Sequence, residues 1–93
     1  MKLTVTVKSE VETNYDIMLP HYCKSRTSYY KIIDEKTAIK VGYWHAQYYD
    51  ISVTSPDSAL KFSEEPCNAD EFYTVFKQVS MYINHLIDSD ENI

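Results

Sequence analysis

The chain has 93 residues, 44% of them hydrophobic, and a formal net charge of −5. This is enough apolar material for one core but not for two, so the sequence predicts a single domain over residues 1–93. The chain has 1 glycine, which excludes a P-loop, a dinucleotide fingerprint and a Gly-x-Ser-x-Gly nucleophile elbow, because each needs more than one.

Alternating apolar and polar residues predict five short strands in the first part of the chain. Their apolar positions are Leu3, Val5 and Val7; Tyr15, Ile17 and Leu19; residues 29–33; Ile39, Val41 and Tyr43; and Tyr49, Ile51 and Val53. Pro20 ends the second strand because proline has no N–H for the ladder. We expect a loop over residues 21–28, a hairpin connection at 34–37 and a turn at 55–58, with Leu60 and Phe62 in a short edge strand.

The spacing of apolar residues then changes to three and four, which predicts an amphipathic helix of about five turns. Its stripe consists of Phe72, Val75, Phe76, Val79, Ile83 and Leu86. Asn68 and Glu71 have the spacing of a helix-capping pair just before this stripe. The polar tail 88–93 is expected to be flexible.

These elements indicate an α+β fold. We expect an antiparallel sheet of five or six short strands in a meander, with the C-terminal helix packed on one face. One helix covers one face, so we expect the other face to be left open to solvent or to another molecule.

The N-terminal segment alternates apolar and polar residues and lacks the apolar run of a secretory signal. No run is long enough to span a bilayer. We therefore expect a cytoplasmic protein without membrane contact, in which Cys23 and Cys67 are reduced thiols.

Charge is unevenly distributed along the chain. Five basic and three acidic residues give residues 1–33 a charge of +2, whereas four basic and eleven acidic residues give residues 34–93 a charge of −7. The expected loop contains Tyr22, Lys24 and Arg26, the only arginine. It is either a solvated connection or a binding loop, since Arg and Tyr are enriched at interface hot spots. The acidic remainder makes duplex nucleic acid an unfavourable partner, because non-specific binding to a duplex is driven by phosphate neutralisation.

Nine tyrosines are more than a core of this size can hold, so several are expected to be exposed. Strand alternation, with Tyr30 and Ile32 towards the helix, predicts an open-face group of Tyr29, Trp44 and Tyr48 beside Lys31 and Lys40. This face is either a binding surface for a foreign partner, or it is covered by a second layer or by a symmetry-related copy in a homodimer. A one-residue register slip would reverse the assignment.

The residues that could carry chemistry are few. His21, Cys23, His45 and Cys67 supply metal-ligand types, but their spacing matches no closed zinc motif, so we expect neither a metal nor a cofactor. No nucleophile, base and orienting group occur at a recognisable spacing. A small enzyme that uses His21, Cys23 or His45 is kept as a third hypothesis.

The short, acidic, glycine-poor and tyrosine-rich chain resembles in composition the small accessory proteins of bacteriophages and mobile elements. The leading hypothesis is a non-enzymatic protein-binding module that occupies a surface of a larger host complex, as an inhibitor of host defence, by occlusion or by acidic mimicry of phosphates. Its predicted binding residues are Tyr22, Lys24, Arg26, Tyr29, Lys31, Lys40, Trp44 and Tyr48. The alternative is single-stranded nucleic-acid binding by an aromatic and lysine-bearing sheet face.

Overall fold

A computed structural model describes the backbone of residues 1–44 and 48–91 and the side chains of residues 1–43 and 49–87. The strands are β1 (Lys2–Val7), β2 (Thr13–Met18), β3 (His21–Lys24), β4 (Ser28–Ile32), β5 (Ala38–Trp44), β6 (Tyr48–Thr54) and β7 (Glu65–Pro66). The helices are α1 (Pro56–Phe62) and α2 (Ala69–Glu91). The described part of the chain contains no helix that combines the length and the hydropathy needed to cross a membrane.

The predicted α+β fold is confirmed. Strands β3 to β7 form a five-stranded antiparallel sheet in the order β6-β5-β4-β3-β7, and β3 to β6 follow one another as a meander. Helix α2 packs on β4, β5 and β6. Strands β1 and β2 form a separate two-stranded sheet instead of extending the larger one.

Helix α2 begins where the capping pattern predicts. The Oδ1 atom of Asn68 accepts a hydrogen bond from the Glu71 N–H at 2.8 Å, and the Asn68 carbonyl accepts one from the Phe72 N–H. The side chain of Glu71 does not complete the reciprocal half of a capping box but pairs with Lys24. The cap satisfies part of the otherwise unpaired N–H groups of the first turn.

The connection between β4 and β5 is also confirmed. Asp34 Oδ1 accepts hydrogen bonds from the N–H groups of Lys36 and Thr37, both at 2.8 Å. These bonds form a local turn, and they hold the pKa of Asp34 below its usual value.

Two local predictions are wrong. Residues 21–24 form β3 rather than part of a loop, because they pair with residues 29–32 of β4. Residues 56–62 form α1 rather than a turn followed by an edge strand. Ser55 caps this helix and Pro56 occupies its first turn, where the missing N–H carries no penalty.

The expectation of an open sheet face is also wrong. One core lies between the sheet and α2 and is built on Val41, Phe72, Val75 and Val79. A second core on the opposite face joins the sheet to β1, β2 and α1. Its buried members are Val5, Val7, Ile17, Cys23, Tyr30, Ile32, Ala38, Ala59 and Leu60. The sheet therefore lies between two covering layers.

The side chains of β4 point to the opposite faces of the sheet from those predicted. The register places Tyr29 opposite Val41 and Tyr30 opposite Lys40. Tyr29 therefore lies against the α2 core, and Tyr30 and Ile32 belong to the other core. For β5 and β6 the prediction is confirmed, since Ile39, Val41, Tyr43, Tyr49 and Ile51 all lie in the α2 core.

Candidate functional site

Four of the predicted binding residues lie together on the α2 side of β3 and β4. The register places Tyr22 opposite Lys31 and Lys24 opposite Tyr29, and alternation directs all four side chains to the same face. Tyr73, in the second turn of α2, completes the group. We call Tyr22, Lys24, Tyr29, Lys31 and Tyr73 the Lys31 surface.

Lys31 lies between two tyrosine rings. Its Nζ atom is 5.8 Å from the ring centroid of Tyr22 and 5.1 Å from that of Tyr73, and it donates a hydrogen bond to the Tyr73 hydroxyl. The two rings meet edge to face at 6.1 Å. The hydrogen bond orients the Tyr73 ring, since the hydroxyl oxygen lies between Nζ and that ring, and cation–π attraction acts on the Tyr22 ring.

This contact changes the ionisation of both partners. The hydrogen bond from the Lys31 ammonium lowers the pKa of Tyr73, and the same bond raises the pKa of Lys31. Desolvation raises the pKa of Tyr22. The contact therefore favours charged Lys31, which serves as a fixed cation and hydrogen-bond donor.

Lys24 is held by carboxylates at the beginning of α2. Its Nζ atom is 3.2 Å from Glu71 Oε2 and 3.5 Å from Glu65 Oε1, and it lies 5.9 Å from the ring centroid of Tyr29. The hydrogen bond to Glu71 raises the pKa of Lys24. Strand β3, β7 and α2 are thereby connected at one corner of the molecule.

Arg26 and Lys40 lie in a different place. They line a cleft of about 450 Å³ at the β3–β4 turn, together with Ser28, Tyr30 and Glu64. The Arg26 side chain is 87% exposed and reaches Glu64 only at 4.0 Å. Lys40 lies opposite Tyr30 on the face away from α2.

The predicted open-face group is wrong for the three members whose side chains are described, because they do not share one face of the sheet. Tyr29 and Lys31 lie on the α2 side of the sheet, whereas Lys40 lies on the other side. The prediction went wrong because β4 carries apolar side chains on both faces, so alternation alone could not assign them. The side chains of Trp44 and Tyr48 lie outside the described residues, although their backbones pair with each other in the β5–β6 hairpin.

His21 and Cys23 do converge in a pocket. Both line a cleft of about 320 Å³ between β2, β3, α1 and β7. Burial raises the pKa of the Cys23 thiol and lowers the pKa of His21. Both shifts favour the neutral thiol and the neutral imidazole, whereas an activated cysteine is a thiolate beside an imidazolium.

The Cys67 side chain also favours the protonated thiol, because burial raises its pKa to about 11. Among the described residues, no three His, Cys, Asp or Glu side chains are placed to hold a metal ion. His45, the third residue named in the enzyme hypothesis, lies outside the described residues.

Tyr73 is the residue of the Lys31 surface that sequence analysis missed. It lies next to Phe72 of the apolar stripe and is 45% exposed. Its position beside the stripe was visible in the sequence, but its contacts with Tyr22 and Lys31 depend on residues more than 40 positions away.

Comparison with protein-family models, curated proteins and solved structures finds no match for this chain.

Proposed function

We propose that this chain is a non-enzymatic protein-binding module that contacts its partner through the Lys31 surface. The observation that carries the proposal is the placement of Lys31 between two partly exposed tyrosine rings. Tyrosine supplies a large contact area at a low cost in side-chain entropy and is enriched at the centres of protein interfaces. Here the rings are already oriented, which reduces the cost of ordering them on binding.

The rest of this side of the sheet favours the same proposal. The row that continues from Tyr22 and Lys31 across the sheet reaches Ile39 and then Val53. Val53 is 76% exposed, and Ile33, the residue that follows β4, is also exposed. Apolar side chains beside oriented tyrosines provide the mixed surface that a protein partner would desolvate.

Electrostatics indicate the sign of the partner. The chain carries a net charge of −5, and both lysines of the Lys31 surface are already engaged by Glu71 and Tyr73. The net charge of the chain therefore favours a partner of positive net charge, whereas Lys31, which stays charged, favours a hydrogen-bond acceptor directly opposite it. A larger host complex as the partner, and inhibition as the result, stay predictions of the sequence.

Site-specific photocrosslinking in the cells that express the chain tests this function. A photoreactive benzophenone residue replaces Lys77, which is exposed and four residues after Tyr73 on α2. The control places the same residue at Val11, which is 71% exposed in the β1–β2 connection. We expect a discrete protein adduct at position 77 and not at position 11, resolved by gel electrophoresis and mass spectrometry.

The second arm links the adduct to the tyrosines. Tyr73→Ala is expected to weaken crosslinking at position 77 by about tenfold or more. The matched control is Tyr15→Ala, which removes a partly exposed tyrosine on β2. The proposal is overturned if no adduct forms at position 77 or if positions 77 and 11 give equal adducts. It is also overturned if Tyr73→Ala leaves the yield of the position-77 adduct unchanged.

A further inference from the structure

The two edges of the five-stranded sheet differ in how they are protected. At one edge β7 has only two residues, Glu65 and Pro66, and a short strand with a proline and a charge is a poor template for pairing. At the other edge β6 has seven residues, with no proline and with Asp50 as its single charge. Within the described residues no strand pairs with the outer side of β6.

The hydrogen bonds of β5 determine which backbone groups of β6 point outward. The Tyr43 N–H donates to the Thr27 carbonyl at 2.8 Å, on the β4 side. Backbone direction alternates along a strand, so Lys40 and Gly42 direct their N–H and C=O groups towards β6. Their partners Ser52 and Asp50 are therefore bonded to β5. The backbone groups of Tyr49, Ile51 and Val53 point away from the sheet.

This outward edge is complementary to itself. When two β6 strands pair antiparallel with Ile51 opposite Ile51, Tyr49 of each copy lies opposite Val53 of the other. Three pairs then exchange about six backbone hydrogen bonds. Aromatic and β-branched residues form favourable cross-strand pairs, and the pairing covers Val53, which is 76% exposed. Tyr82, whose ring stacks on Tyr49 at 4.2 Å, lies beside the same seam.

Charges on the opposite face of the sheet are complementary in the same register. Asp50 of each copy lies opposite Ser52 of the other, and Lys40 is the neighbour of Ser52 on β5. Lys40 and the second copy's Asp50 are then about two strand spacings apart, roughly 10 Å between backbones, with only the small serine between them. The ion pairs of the described residues involve Lys24 and Arg26 and do not include Lys40.

We propose that a second copy of this chain pairs antiparallel with the first along β6, to give a symmetric dimer with one continuous sheet. The interface is closed, because the remaining edge strand of each copy is the short, proline-bearing β7. Both α2 helices lie on the same face of the joined sheet. The five residues of the Lys31 surface lie on β3, β4 and α2, away from the seam, and stay accessible. Of the apolar residues beside that surface, Val53 is covered in the dimer and Ile33 stays exposed.

Sedimentation analysis of the wild-type chain and of a charge-reversed pair tests the proposal. Wild type is expected to dimerise as its concentration is raised towards about 1 mM. Asp50→Lys places two lysines against each other across the seam, and Lys40→Glu places two carboxylates there. Each variant alone is expected to be mainly monomeric, whereas an equimolar mixture restores both opposite-charge pairs and forms a heterodimer.

A backbone variant provides an independent check. Val53→Pro removes an N–H that points outward and leaves the β5 ladder intact, so it is expected to weaken dimerisation at least about tenfold. Val53→Thr keeps the N–H and the branched shape and is expected to dimerise nearly as well as wild type. A wild type that stays monomeric to about 1 mM overturns the proposal, and so does a dimer that is unaffected by Val53→Pro.

Discussion

The two faces of the central sheet are covered in different ways. A single helix, about 10 Å wide, covers the α2 face, whereas the β1–β2 hairpin and α1 together cover the other face. Four strands spaced about 4.8 Å apart are wider than one helix. Side chains at the flanks of α2, such as Tyr22 and Tyr73, are consequently only partly covered.

The residue types in the two cores follow from this difference. The α2 face uses rings around Phe72, with Tyr22 and Phe76 at centroid distances of 5.6 and 6.0 Å. A tyrosine at the flank buries its ring and keeps its hydroxyl in water or on a cation. The opposite core is dominated by aliphatic residues, and Ile32, Ala38 and Ala59 are completely buried there. Partial coverage by one helix thus creates the surface proposed to bind a partner.

The largest effect is expected at the centre of the α2 face. Phe72 is buried among Tyr22, Tyr73 and Phe76, so Phe72→Ala should reduce the free energy of unfolding by about 3–5 kcal/mol. The matched control is Phe62→Ala on α1, because this ring is exposed and its loss should cost less than about 1 kcal/mol. Urea unfolding followed by circular dichroism measures both. Equal losses would contradict the assignment of Phe72 as the centre of this core.

A smaller effect tests whether the two faces are independent. Ile32→Val on the aliphatic face and Val79→Ala on the α2 face remove methyl groups from separate cores. Ile32→Val should cost about 1 kcal/mol, and the double variant should equal the sum of the single ones within about 0.5 kcal/mol. Ile33→Val, at the exposed neighbour, serves as the control. A coupling energy above about 1 kcal/mol would show that the sheet transmits packing between the faces.

The sequence was sufficient for elements with one clear periodicity. The stripe from Phe72 to Leu86 and the cap at Asn68 predicted α2 at its observed beginning, and period-two alternation predicted the orientation of β5 and β6. These patterns are local, since each is a consequence of 3.6 or 2 residues per repeat.

Prediction failed where both faces of a strand are apolar. In β4, Lys31 is the only charged residue, and it lies on the α2 face, where Tyr22 and Tyr73 accommodate its charge. The hairpin layer was missed for a similar reason, because Val5, Val7 and Ile17 have the same alternation in a separate sheet as in a shared one. Tyr73 could be assigned to the site only through its long-range contacts.

The caps of the two covering helices provide the next comparison. Asn68→Ala removes an oxygen 2.8 Å from the Glu71 N–H and should cost about 1 kcal/mol. Ser55 caps α1 at the longer distance of 3.4 Å, so Ser55→Ala should cost less. Asn68→Asp retains the acceptor and should restore most of the stability, measured by urea unfolding. A larger loss for Ser55→Ala than for Asn68→Ala would reverse this order.

The smallest expected effect is a pH dependence confined to the aliphatic face. Burial of His21 beside β2 lowers its pKa from the ordinary value of 6.5, although Asp16, Glu64 and Glu65 line the same cleft. Between the folded-state pKa and 6.5 the unfolded chain binds more protons than the folded one, so the free energy of unfolding falls as the pH falls through this window. Above 6.5 the contribution of His21 is constant.

His21→Gln should remove this slope, whereas His85→Gln on the exposed surface of α2 should retain it. Asp34 and Asp57 have lowered pKa values, so their contribution to stability is lost only at more acidic pH, below their ordinary value of 3.8, and should persist in both variants. Unfolding curves at a series of pH values separate the two windows. Parallel curves for wild type and His21→Gln through the upper window would show that the histidine is not desolvated in the folded chain.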